Sequence, residues 1–151
     1  MSGGSVTIGD NVHIDNATNL TTAPVVVEAG GSFTMAGGSI STNKFTASQT
    51  YAGGAILAAG DVMLNCGVIS GNRLTVASGG FGSGAVTMTG GKLTMGKHVI
   101  ISGNNSGGHG GGVALYNASA FDMVGGTISG NSTDNTGGGV AVVRLPMHGS
   151  I

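Results

Sequence analysis

The 151-residue chain combines 32 glycines with 40% hydrophobic residues, but only 7% of its residues are charged and its net charge is −1. Glycine without a strict G-X-Y period excludes a collagen helix, and this hydrophobic content excludes a solvated disordered coil. The five basic residues are scattered and form no basic stripe for nucleic acid. No apolar run is long enough for membrane insertion. We expect one domain over 1–151, built from many short strands.

A phrase that recurs five times predicts the fold. Each copy contains an aligned isoleucine, and in all but the first copy an asparagine follows it three residues later. The copies read SVTIGDNVHIDN (5–16), SFTMAGGSISTN (32–43), DVMLNCGVISGN (61–72), KLTMGKHVIISGN (92–104) and FDMVGGTISGN (121–131). The aligned residues Ile14, Ile40, Ile69, Ile101 and Ile128 lie 26, 29, 32 and 27 residues apart.

A second phrase follows each copy and supplies a third strand. Its copies read PVVVEAGG (24–31), GGAILAAG (53–60), SGAVTMTGG (83–91), GGVALYNA (111–118) and GGVAVV (138–143). A unit of roughly 29 residues with three short strands and Gly or Asn turns is typical of one solenoid coil. The sequence therefore predicts an all-β fold: a right-handed parallel β-helix with three faces and about five coils.

Alternation within the strands predicts the buried side chains. The first strand turns inward the pairs Val6/Ile8, Phe33/Met35, Val62/Leu64, Leu93/Met95 and Phe121/Met123. The second strand turns the isoleucine row inward. The third strand is predicted to turn inward Ala55/Leu57, Ala85/Thr87, Val113/Leu115 and Val140/Val142. One extra residue at 97–100 must form a bulge.

The asparagines after the isoleucines predict a structural ladder, in which side-chain amides bond from coil to coil at a turn that tolerates left-handed backbone. The ladder residues are Asn43, Asn72, Asn104 and Asn131.

The outward positions of the third strand are apolar in the predicted register, where a solvent face would be polar. They are Ile56, Ala58, Val86, Met88, Ala114, Tyr116, Ala141 and Val143. Such a stripe is a candidate interface. Alternatively, another segment of the chain covers it, for example the C-terminal RLPMHGSI.

Segments of variable length lie at one corner, between the asparagine and the next glycine pair: 44–52, 73–83, 105–110 and 132–137. Inserts at one corner map to one edge of a solenoid, where repeat proteins often bind their ligands. Phe45, Tyr51 and Phe81 lie in these inserts as a candidate ligand loop. They either stack on a glycan or anchor their own loops.

The distribution of reactive residues along the sequence predicts no catalytic, cofactor-binding or metal site. Asp61, Lys92 and Asp122 share the outer first face, so they could form an acid–base group or be solvated charges. The four histidines lack zinc-ligand spacing, and the tripeptide Gly108-His109-Gly110 lacks accompanying aspartates. Cys66 is the single cysteine, which excludes a disulfide, and is predicted to be inert.

Phrases such as SFTMAGGSISTN and GGVALYNA resemble the repeats of bacterial cell-surface β-helix proteins of the adhesin and autotransporter kind. GGAI at 53–56 is similar to half of the repeat pair in chlamydial polymorphic outer-membrane proteins. The resemblance implies a non-catalytic structural or adhesive module, extracellular or at the cell surface. Since MSGGSV is not a signal peptide, we expect residues 1–151 to be part of a longer exported array, with 144–151 as a non-helical tail.

The sequence supports three function hypotheses. In the first, the module self-associates through its third face or end to end, or binds a host or glycan surface. In the second, it binds ice or another flat surface, although the outward Thr array is broken in three of five coils. In the third, it is a carbohydrate-binding or carbohydrate-active β-helix of the lyase or hydrolase type.

Overall fold

The computed structural model describes residues 3–18, 22–47, 50–76 and 80–144, and these residues form strands and turns without any helix. The described chain thus has no helix able to span a membrane. In chain order the strands are β1 Ser5–Ile8, β2 His13–Asp15, β3 Val25–Val27, β4 Ser32–Met35, β5 Ser39–Ser41, β6 Lys44–Ala47, β7 Tyr51–Gly53, β8 Ile56–Ala58, β9 Asp61–Ser70, β10 Arg73–Val76, β11 Phe81–Ser83, β12 Val86–Met88, β13 Lys92–Ser102, β14 Asn105–Ser106, β15 Val113–Leu115, β16 Ala120–Met123, β17 Thr127–Ser129, β18 Ser132–Thr133 and β19 Val140–Val142.

Each strand pairs in parallel with an equivalent strand of a neighbouring repeat. The first repeat strands stack in the order β1-β4-β9-β13-β16, and the third repeat strands in the order β3-β8-β12-β15-β19. The second repeat strands join the first sheet, because β9 and β13 run on through the corner and pair with β5 and β17. The predicted all-β parallel solenoid is confirmed, whereas its right-handed sense and its number of coils stay predictions.

The main core is a column of equivalent side chains. Phe33, Val62 and Leu93 are paired in register on the first face and are almost fully buried. The isoleucine row aligns as predicted, and its members Ile40, Ile69 and Ile101 are completely buried. The predicted bulge is also confirmed, since the register of β13 against β9 shifts between Met95 and His98.

The asparagine ladder is confirmed in detail, as Asn72 shows. Its Nδ2 donates to the Ile40 carbonyl at 2.9 Å and to Asn104 Oδ1 at 3.0 Å. Its Oδ1 accepts from the backbone and side-chain N–H groups of Asn43, at 3.1 and 3.0 Å. Asn43, Asn72 and Asn104 are fully buried, and Asn131 extends the ladder. Buried amides are tolerated because each hydrogen-bonding group has a partner.

The turn before the ladder requires a left-handed residue. Gly71, Gly103 and Gly130 occupy it with φ of 64°, 63° and 61°, and Thr42 takes the same position with φ of 56°. Glycine adopts this backbone without a steric penalty, so the recurrent SGN tripeptide encodes the corner and delivers the asparagine inward.

The predicted exposed stripe on the third face is wrong. Ile56 pairs with Val86, which pairs with Val113 rather than Ala114, and this row points into the main core. Leu57 and Thr87, predicted to face inward, occupy the opposite row. Only Val143 of the eight predicted interface residues is partly exposed. The other seven are buried: Ile56, Ala58, Val86, Met88, Ala114, Tyr116 and Ala141. The pattern misled because both sides of this strand are covered, so alternation of polarity is lost.

The inserts provide the outer cover. They form a separate parallel sheet in the order β18-β14-β10-β6, and β11 pairs with β7 beside it. Phe45, Ala47, Ala52 and Leu74 build a second, smaller core there. Thr87 faces this layer, since its hydroxyl donates to the Ala52 carbonyl and accepts from the Ser83 N–H. Most of the C-terminal segment considered as a cover, 145–151, lies outside the described residues.

Replacing Asn72 with alanine is expected to lower the free energy of unfolding by about 2–4 kcal/mol, because several buried groups of Ile40, Asn43 and Asn104 lose a partner. The measurement is urea unfolding followed by circular dichroism. Asn65→Ala, on the exposed side of β9, is the matched control and should change stability by less than about 0.5 kcal/mol. Equal losses in the two variants would contradict the structural role of the ladder.

Candidate functional site

Aromatic side chains from three successive inserts meet Tyr116, the residue after β15, on the third face. Tyr51 and Phe81 are register partners with ring centroids 5.8 Å apart, and His109 stacks on Phe81 at 5.8 Å with 12° between the planes. Tyr116 lies edge-on against Tyr51 at 5.1 Å and against Phe81 at 5.7 Å. We call these four residues the aromatic cluster.

The cluster includes two members of the predicted ligand loop but not the third. Phe45 is buried in the second core, so it cannot stack on a ligand. Tyr51 and Phe81 turn their faces toward neighbouring rings, which leaves little flat surface for a sugar. The geometry thus favours the alternative that these rings anchor their inserts. His109 and Tyr116 were not predicted as partners of these rings, because they meet Tyr51 and Phe81 only through tertiary packing.

Tyr116 is the most deeply enclosed aromatic side chain. The residue is fully buried, and no described group makes a hydrogen bond with its hydroxyl. Burial raises the pKa of this phenol well above its usual value, and the backbone of Gly82 nearby offsets only part of the rise. An unpartnered buried hydroxyl costs free energy, so the ring rather than the hydroxyl stabilises the cluster.

The candidate acid–base residues form an exposed charge network instead of a cleft. Lys92 Nζ lies 3.7 Å from Asp122 Oδ2, and both side chains are about half exposed, at 54%. Asp61 Oδ1 accepts the backbone N–H of Lys92 at 3.0 Å. These contacts support the interpretation of the three residues as solvated surface charges.

Cys66 has a histidine neighbour that the sequence did not reveal. His98 is its register partner on the adjacent strand, just after the bulge of β13. Among the described residues, however, no three His, Cys, Asp or Glu side chains lie close enough to hold a metal ion.

A small recess opens on the outer side of the insert sheet. It has a volume of about 280 Å³ and is lined by Thr18, Lys44, Phe45, Thr46, Arg73 and Thr75. Lys44 and Arg73 are register partners on β6 and β10, and both side chains are exposed.

The two ends of the solenoid expose members of the core rows. One core row contains Val27, Ala58, Met88 and Leu115, which are all buried. The last member of this row, Val142, is 79% exposed. At the other end Val6 is 59% exposed, whereas its register partner Phe33 is 3% exposed. A cavity of about 570 Å³ at this end is lined by Val6, Ile8, Ile14, Val25 and other residues of the first coils.

Comparisons of the chain with protein-family models, with curated proteins and with solved structures found no match.

The buried phenol predicts a dependence of stability on pH. In the Tyr51→Phe variant Tyr116 is the single tyrosine. Burial raises the pKa of Tyr116 in the folded chain. The free energy of unfolding is therefore at its full value at neutral pH and falls as the pH passes about 10, because the tyrosine of the unfolded chain ionises there. Absorbance at 295 nm should show no tyrosinate until circular dichroism reports unfolding. Reversible ionisation near pH 10 with the fold unchanged would contradict the burial of Tyr116.

Proposed function

We propose that this chain is a non-catalytic structural module whose coils stack end to end with equivalent coils to extend the solenoid. The observation that carries the proposal is that each end presents an exposed member of a core row that is buried everywhere between the ends. The bacterial-surface repeat resemblance supports a location on the cell surface or outside the cell, where such a module spaces or presents adhesive segments. The right-handed sense of the helix belongs to the same proposal.

An equivalent coil fits each end, and a second copy of residues 1–151 can supply it. β1 and β16 occupy the same position in the repeat, and each has one strand partner among the described residues. A second copy would place its Val6 and Ile8 over Phe121 and Met123, as Leu93 and Met95 lie over Val62 and Leu64 inside the chain. The contact is therefore head to tail, which propagates along one axis instead of closing into a dimer.

The free energy available is moderate. Fully burying one valine or methionine side chain contributes about 1.5–3 kcal/mol. Covered residues at the junction include Val6, Val26, Met123 and Val142, and new parallel hydrogen bonds would join the strand edges. Association costs on the order of 4–15 kcal/mol of lost motional freedom, so we expect assembly that depends on concentration.

Two variants with complementary defects test the proposal. Val6→Lys blocks one end and Val142→Lys blocks the other, and both residues are exposed, so the fold should be retained. We expect the parent chain to increase in mass with concentration in sedimentation velocity, while each variant alone stays monomeric. Because each variant keeps one intact end, an equimolar mixture should form a dimer and stop there.

Met63→Lys is the matched control, since Met63 is also exposed and apolar but lies on the lateral face. It should assemble like the parent chain. The proposal fails if the parent chain is monomeric at high concentration, if a single blocked variant still self-associates, or if Met63→Lys prevents assembly as strongly as the end variants do.

A further inference from the structure

We infer that the recess on the insert sheet binds the carboxylate or sulfate group of an acidic glycan, with Lys44 and Arg73 as the anion-binding residues. This inference does not rest on end-to-end stacking, because the recess lies on a lateral face.

The ladder and the second core together fix the positions of the two cations. Each follows a ladder asparagine directly, and the Arg73 N–H donates to the Asn43 carbonyl at 2.9 Å. Phe45 and Leu74, the next residues, are buried in the second core. Alternation along the strands then turns Lys44 with Thr46, and Arg73 with Thr75, to the outer side. The motif is the same in both strands: a cation, a core residue and a threonine.

The repulsion between the neighbouring Lys44 and Arg73 side chains lowers the stability of the isolated chain. Neighbouring strands lie about 4.8 Å apart, and like charges placed opposite each other destabilise a sheet. Among the described residues the ion pair is Lys92 with Asp122, on another face, and no acidic side chain lines the recess. Two of the five basic residues in the chain thus converge where no carboxylate neutralises them. An oxyanion would relieve this repulsion and accept charge-assisted hydrogen bonds from both side chains.

The remaining lining favours a sugar acid over other anions. The hydroxyls of Thr18, Thr46 and Thr75 can each donate and accept, which suits the hydroxyl groups beside a sugar carboxylate or sulfate. The volume of about 280 Å³ is just below the range of roughly 300–1,000 Å³ for drug-sized ligands, so it suits one residue of a longer chain. Two cations in a chain of net charge −1 are too few for the many phosphate contacts of nucleic acid.

Binding is measured by calorimetry and by amide chemical shifts at matched ionic strength. The probes are tetragalacturonate, its fully methyl-esterified form, a sulfated tetrasaccharide and sodium sulfate alone. We expect at least one acidic oligosaccharide to bind and to shift the amides of Lys44–Ala47 and Arg73–Val76. The double variant Lys44→Gln/Arg73→Gln should weaken this binding by about tenfold or more, since two charge-assisted hydrogen bonds are lost.

Lys92→Gln/Lys97→Gln removes the same charge from another face and should keep the affinity within about twofold of the parent. Binding of tetragalacturonate would identify a carboxylate as the group bound, and binding of the sulfated tetrasaccharide would identify a sulfate. The inference is overturned if neither acidic oligosaccharide binds, if the methyl ester binds as tightly as the acid, or if sulfate ion alone matches the oligosaccharides. Equal loss of binding in the two double variants would also overturn it.

Discussion

Parallel stacking in register is the constraint on which the rest of the structure depends, and the asparagine ladder is the interaction that enforces it. The amides of Asn43, Asn72 and Asn104 each bond to the coil on either side, so a slip of one residue would leave buried donors and acceptors without partners. The ladder also aligns the neighbouring positions of the chain: Lys44 and Arg73 lie in register because they come directly after Asn43 and Asn72. A chain with 4% aromatic residues and a narrow core can fold because these amides supply the register that large side chains would otherwise set.

The inserts add a second layer of strands along one edge of the solenoid. The third repeat strands pack against the main core on one side and against the insert layer on the other, with Thr87 and the aromatic cluster between them. The inserts cover the third face, and exposed members of the core rows lie at the two ends of the solenoid. The same layer presents a cationic recess to the outside. Assembly along the axis and glycan binding on the side would therefore use separate surfaces.

The sequence predicted the repeat, the first two strand rows, the ladder and the bulge of β13, because each depends on local alternation or on a recurrent tripeptide. It failed for the third strand of the second and third coils, whereas Val113 and Leu115 of the fourth coil face the core as predicted. In the second and third coils Leu57 and Thr87 face outward and Val86 faces inward, since two apolar layers enclose the strand and erase the alternation. The aromatic cluster also escaped prediction, because it joins Tyr51, Phe81, His109 and Tyr116 from different coils through tertiary packing. The pairing of Lys44 with Arg73 was predictable in principle from the repeated motif, once the inserts were recognised as strands.

The most direct test of the account is the hydrogen exchange of the ladder side chains, followed by NMR. The Nδ2 protons of Asn72 and Asn104 are bonded and buried, so their exchange should require global unfolding and be slowed by several orders of magnitude. The side chain of the exposed Asn65 provides the reference within the same molecule. Protection of both ladder residues at the level of the core strands is the predicted result. Exchange of Asn72 and Asn104 as fast as that of Asn65 would show that the coils are not held in register by these amides.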